Sequence, residues 1–157
     1  MKLIKRVNHF PDSPEYSEGE PDKNWKRVLG FGKDQRSTFK YWFAHWKAFN
    51  KVAIKCHRWK LKYLFHDIEK PFLMLFWHDY ERVNKWHVEH NSHHPQKKAF
   101  EKIDIEGMLI DWESSKITKT FATMSAREFY NHKYKGKERF TEEQQKKIEE
   151  TLDLLKL

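Results

Sequence analysis

A chain of 157 residues has room for one domain with a core of its own, and its 16 % aromatic content lets few positions bury much area despite 34 % charged residues. The 31 Lys and Arg against 23 Asp and Glu give a formal net charge of +8, which favours anionic partners without saying which. Cys56 is the only cysteine, which excludes an internal disulfide and a thiolate-rich zinc site, and the longest apolar stretch, Pro71 to Trp77, is too short to span a bilayer.

Residues 1 to 37 hold Pro11, Pro14, Pro21, Gly19, Gly30 and Gly32 among charges and read as an irregular N-terminal arm. Trp25, Val28, Leu29 and Phe31 offer apolar side chains by which the arm could attach to the domain. The first residues carry no apolar run of the signal-peptide kind, so the expected compartment is the cytoplasm, or a host cytoplasm for a viral protein. Residues 38 to 157 form the domain proper. From Phe39 there is no glycine until Gly107, and the pattern turns helical.

Phe39 to His57 is a helix on its period, with Phe39, Phe43, Trp46, Phe49 or Asn50, and Ala53 recurring on one side. Trp59 to Phe65 makes a second, short helix that ends at His66-Asp67. Pro71 opens a new segment at a position where proline is tolerated. Asp79 to about His90 is a third helix, and the following Asn91-Ser92-His93-His94-Pro95 cannot carry it past the proline. Asp104 is a plausible N-cap for a helix reaching about Lys119. Ser125 to Glu128 and Thr141 to Gln144 both match the capping box and mark two further helix starts. Ile148, Leu152 and Leu155 form the apolar stripe of the last one. No alternating strand pattern and no internal repeat is present. The expected class is all-α.

Eight of the ten histidines lie between positions 45 and 94: His45, His57, His66, His78, His87, His90, His93 and His94. A neutral imidazole is the commonest metal ligand among side chains. Asp67 and Asp111 add carboxylates, and such a donor set suits zinc, iron, manganese, nickel or cobalt. His87, His90 and His94 are spaced to share a helix face if the helix persists that far, with Asn91 one turn after His87. Asp104, Met108 and Asp111 share another, so Asp111 can point inward. His57 lies at a different azimuth from His45, so the two cannot ligate one ion, and His45 is preferred. A lone histidine on an amphipathic helix is more often an ordinary core or surface residue, which is the reading for His9, His57, His78 and His132.

The order of these residues resembles the HD-domain metalloprotein superfamily. More closely, it is similar to an uncharacterised branch from phages and bacteria with three motifs. Here they stand as His66-Asp67-Ile68-Glu69-Lys70, as His87 to Asn91 followed by His93-His94-Pro95, and as Met108-Leu109-Ile110-Asp111-Trp112. The resemblance covers roughly residues 39 to 157. It implies an HD-like helical bundle in which His45, His66, Asp67 and Asp111 hold one divalent metal ion. His87 with one or both of His93 and His94 would hold a second, bridged by Asp67. His90 is the rival to His87. Lys70 matches a lysine that lies near the metals and can hold an anionic oxygen. The chain departs from the branch at Glu69, where a small or hydroxyl residue is usual, and at Gln96 and Lys97, where Glu and His are common.

That site implies a metal-dependent phosphohydrolase acting on a nucleotide or other small phosphoester, with Asp67 and Lys70 as the catalytic pair. Mn, Fe, Zn, Ni, Co and Mg are not distinguished, nor is one ion from two. Trp86 and Trp112 could stack a base, although core packing is the more common role. Two other classes fit the same residues. One is a di-iron oxygenase. The other is a nucleic-acid-binding or inhibitory protein with a non-catalytic metal site, whose phosphate contacts would come from Lys55, Arg58, Lys60 and Lys62. A solvated helix face is the plainer reading of that basic run.

Overall fold

The computed structural model describes residues 39–95, 103–118 and 124–157; the N-terminal arm, Gln96 and Lys97 lie outside them. Among the described residues the chain is all-helical, with six α-helices and no strand. We number them α1 (Phe39–Lys55), α2 (Glu69–Trp77), α3 (Tyr80–His90), α4 (Ile105–Thr118), α5 (Ala126–Lys133) and α6 (Glu142–Leu155), with a 3-10 segment at Leu61–Phe65 before α2.

Helix α4 is the centre of the fold. It packs along α1 on one side and against α5 and α6 on the other. Residues Gly107 to Trp112 are all buried, together with Ser114 and Ser115, so this helix has almost no solvent face. A helix buried around most of its circumference cannot show the one-sided stripe of a surface helix. The core around it takes Phe49 and Val52 from α1, Tyr130 from α5, and Ile148 and Leu152 from α6. Trp112 lies deep in this core, stacked on Tyr134 and edge-on to Phe129, so it is a packing residue and not a platform for a base. A smaller cluster of Met74 and Val83, with Leu73 and Trp77 against it, joins α2 to α3.

Local sequence explains most of the helix ends. Ser125 and Thr141 each form a full capping box, with Glu128 and Gln144 reaching back to the cap N–H groups. Asp79 caps α3 by accepting from the Arg82 N–H at 3.2 Å. Asp104 caps α4 by accepting from the Gly107 N–H at 3.1 Å. Gly107 makes room for this: a Cβ there would lie 2.7 Å from the Asp104 Oδ2. Three boundaries differ from the sequence expectation. Helix α1 stops at Lys55, and His57 follows it with a left-handed backbone. The segment expected as a short helix from Trp59 is a 3-10 turn from Leu61. Helix α2 starts at Glu69, which places Pro71 inside its first turn, where its missing N–H has no intrahelical partner to lose.

The buried face of α1 is also rotated from the expected stripe. His45, Ala48, Phe49, Val52 and Ala53 point inward, while Phe43 is 47 % exposed and stacks on Trp46 at the surface. What fixes the orientation of the next segment is Asn50. Its Nδ2 donates to the carbonyls of Trp46 (3.0 Å) and Tyr63 (3.2 Å), and its Oδ1 accepts from Trp59 Nε1 at 2.8 Å. Trp46 Nε1 adds a bond to the Leu64 carbonyl at 3.0 Å. On the far side, Tyr63 donates to Glu106 (2.9 Å), Lys60 pairs with the same carboxylate (2.7 Å), and Lys62 pairs with Asp104 (2.5 Å). Lys60 and Lys62 therefore help fasten the 3-10 segment to α4, while their side chains stay about half exposed.

Candidate metal centre

The segment held in this way delivers His66 and Asp67 to a buried point between α1, α3 and α4. The His66 ring stacks on Phe49, with centroids 3.6 Å apart and planes at 14°. Asp67 has φ of 56°, in the left-handed region that few residues other than glycine, asparagine and aspartate accept readily. This turn lets two consecutive side chains face the same interior space. Both are buried.

Six further chemical groups meet them. From α1, His45 Nε2 lies 2.8 Å from Asp111 Oδ1, which comes from the middle of α4. His66 Nε2 is 3.4 Å from both of these atoms, and 3.5 Å from Asp67 Oδ1. His87 Nε2 and His93 Nε2 approach the same Asp67 oxygen at 3.4 and 3.3 Å. His94 Nε2 lies 2.5 Å from His87 Nε2. Lys70 Nζ donates to the other oxygen, Asp67 Oδ2, at 2.7 Å. Asp67 is thus shared by overlapping groups compact enough to hold an ion: His45 and His66 with Asp67 on one side, His87, His93 and His94 on the other, and Asp67, Glu69 and His87 between them.

His93 and His94 reach the site by a different route from the one their spacing suggests. Helix α3 ends at His90, Asn91 turns extended, and the chain folds back so that the Asp104 N–H binds the Ser92 carbonyl at 2.9 Å. The loop, rather than helix phase, brings His94 over His87. His90, the rival of His87, is exposed on α3, with its Nδ1 on the Trp86 carbonyl at 2.7 Å and its ring stacked on Trp86. It does not reach the cluster, and it covers one face of the half-buried Trp86 ring. His57 and His132 are exposed, and His78 caps the end of α2 with a left-handed backbone; none of them joins the cluster.

The electrostatics suit a cation. Burial would raise the pKa of Asp67, but His66, His87 and Lys70 outweigh it and hold the carboxyl well below its usual range. For Asp111, His45 and His66 overcome burial in the same way. Burial lowers the pKa of His66 and holds that of His87 well below the usual imidazole range, which favours the neutral ligand form. Burial also works against protonation of His93, but the adjacent Asp67 carboxylate prevails and its pKa is raised. Asp67 Oδ1 and His93 Nε2 are buried and lie 3.3 Å apart, yet neither has a partner in good hydrogen-bond geometry among the described residues. Buried polar atoms are seldom left so, because each forfeits its hydration. Several imidazole lone pairs and a carboxylate oxygen converging here form a donor set that a divalent cation would satisfy.

One participant has no role assigned by the spacing of the motifs. Glu69, at the first residue of α2, places Oε1 against His87 Nδ1 and accepts from Asn91 Nδ2 at 2.6 Å. No protein-family model, curated protein or solved structure matches the chain.

Proposed function

We propose that this protein is a metal-dependent hydrolase of phosphoesters, of HD-domain type, with a nucleotide or similar small anionic phosphoester as substrate. The observation that carries the reading is the convergence of His66, His87 and His93 Nε2 on one buried oxygen of Asp67. A carboxylate in that position can be shared between two cations, one also held by His45, His66 and Asp111, the other by His87, His93 and His94. When bound, such a pair offsets charge on phosphoryl oxygens and lowers the pKa of a water towards neutrality. Lys70 keeps Asp67 oriented through Oδ2 and remains partly open to solvent, so its ammonium group is within reach of an anionic oxygen entering the site. The net charge of +8 raises the local concentration of anionic ligands. No helix among the described residues is long and apolar enough to cross a membrane.

The test is a panel of phosphomonoesters and nucleotides with Mn, Co, Ni, Zn, Mg and Fe, run beside Asp67→Ala and His66→Ala. Metal-dependent phosphate release by the parent, and its loss in both variants, is the expected result. Variants that bind as much metal as the parent would overturn the site, and activity surviving in both would overturn the catalytic assignment. Consumption of dioxygen by the iron-loaded protein, without phosphate release, would instead assign the scaffold to oxygen chemistry.

A further inference from the structure

Glu69 is not among the residues assigned above to either ion, yet its carboxylate meets a ring nitrogen of the cluster. Its Oε1 lies against His87 Nδ1 and also accepts from Asn91 Nδ2 at 2.6 Å. Asn91 Nδ2 is in turn 2.8 Å from the same ring nitrogen. An ionised carboxylate only accepts, so its contact with His87 Nδ1 places the ring proton on Nδ1; the 2.8 Å approach of Asn91 Nδ2 to that nitrogen is then no hydrogen bond, since both groups donate to Oε1. Nδ1–H and Nδ2–H then both point at Oε1. The lone pair is left on Nε2, the atom that faces Asp67 Oδ1 at 3.4 Å and His94 Nε2 at 2.5 Å. His87 is fully buried, so the ring has no water to choose a tautomer for it.

We propose that Glu69 is a positioning residue that fixes the tautomer and ring orientation of His87, and so strengthens the ion held by His87, His93 and His94 and not the one held by His45, His66 and Asp111. A carboxylate behind a ligating imidazole raises its basicity as well as aiming it. The two groups respond separately because Glu69 is contacted by His87 and Asn91, whereas His45 has its Nδ1 3.4 Å from the Thr118 hydroxyl on α4. The inference rests on the two-ion reading of the site.

The experiment titrates the full-length metal-free protein with Co(II), following visible absorption and heat, for the parent, Glu69→Ala and Glu69→Gln. Two binding steps are expected in the parent. Glu69→Ala should weaken one step by about 10–100-fold, the usual loss when such an outer partner is removed, and leave the other unchanged. Glu69→Gln, which keeps an acceptor oxygen, should recover a large part of the loss. Long-range ¹H–¹⁵N correlation spectra of the histidine rings should report His87 with Nδ1 protonated in the parent and a mixture of tautomers in Glu69→Ala. Two unchanged steps in Glu69→Ala would overturn the inference and leave the ligand sets standing. Equal weakening of both steps, or no recovery in Glu69→Gln, would overturn it in favour of a merely structural role. A parent that takes up only one ion, or none, would overturn the two-ion reading and the inference with it.

Discussion

Asp104 shows how one residue can serve the fold with its side chain and the loop of the site with its backbone. It caps α4 through the Gly107 N–H, pairs with Lys62, and through its own N–H holds the Ser92 carbonyl at the root of the His93-His94 loop. Its carboxyl pKa is lowered; burial acts against this, but the Lys62 and Gly107 hydrogen bonds outweigh it. A carboxyl whose folded pKa is depressed contributes stability that is present above its unfolded value and lost as pH falls through the folded one. Asp104→Ala is expected to cost about 1 kcal/mol at neutral pH, the usual loss of an N-cap. Urea unfolding at several pH values should show the difference between parent and variant shrinking once pH drops below the ordinary value of 3.8. On the proposed hydrolase reading, Lys70→Ala should lower kcat while leaving metal uptake in place, since Lys70 donates to Asp67 Oδ2 while the histidines face Oδ1. Steady-state kinetics with metal analysis of the same sample checks this.

Among the helices, the main buried apolar cluster gathers where α1, α5 and α6 pack on α4. Ile148 is fully buried on α6, whereas Leu154 on the same helix is 57 % exposed. Ile148→Ala should therefore cost about 2–5 kcal/mol through lost transfer energy and the cavity left behind. Leu154→Ala should stay within about 0.5 kcal/mol of the parent, as is usual for surface positions. Chemical denaturation of the two variants compares them directly.

The elements differ in how much of them is legible in the sequence. Ser125 and Thr141 mark helix starts because a capping box is made by residues three apart and needs nothing from the rest of the chain. The all-helical class follows from the same local patterns. His45, His66, Asp67 and Asp111 stand out because one His, a His-Asp pair and a distant Asp seldom occur in that order by chance, whereas His87 has His90 as a rival at helical spacing. The face of α1 is not legible, because Phe43 is as apolar as Phe49 and only the position of α4 decides which is covered. The arrival of His94 by a loop, and the partnership of Glu69 with His87, depend on how α2 and α3 pack. Sequence distance carries no trace of that, although a glutamate one residue before the lysine of the first motif was the visible departure.

For the molecule as a whole, the donor atoms come from four separate stretches: α1, the link before α2, the end of α3 with its loop, and α4. An unfolded chain cannot assemble them, so an ion that binds the folded state alone stabilises it by mass action. At a free concentration 100 times the dissociation constant the gain is about 2.7 kcal/mol. Each kcal/mol moves the melting temperature by about 2–4 °C in a protein of this size. Thermal melts with and without a chelator should therefore differ by several degrees in the parent. Asp67→Ala should show almost no difference between the two conditions.

The left-handed backbone at Asp67 restricts what this position can become. A glutamate would keep the charge, but it accepts that conformation poorly and its longer side chain would carry the oxygen past the point where the imidazoles converge. An asparagine accepts the conformation and copies the shape, but is neutral and offers a cation no compensating charge. Glycine fits the turn best and brings no donor at all. Each neighbouring substitution thus fails on one count, and no single replacement can trade away the ligand while keeping the turn productive. The second residue of the His66-Asp67 pair is fixed twice over, by the path of the chain and by the chemistry at its tip.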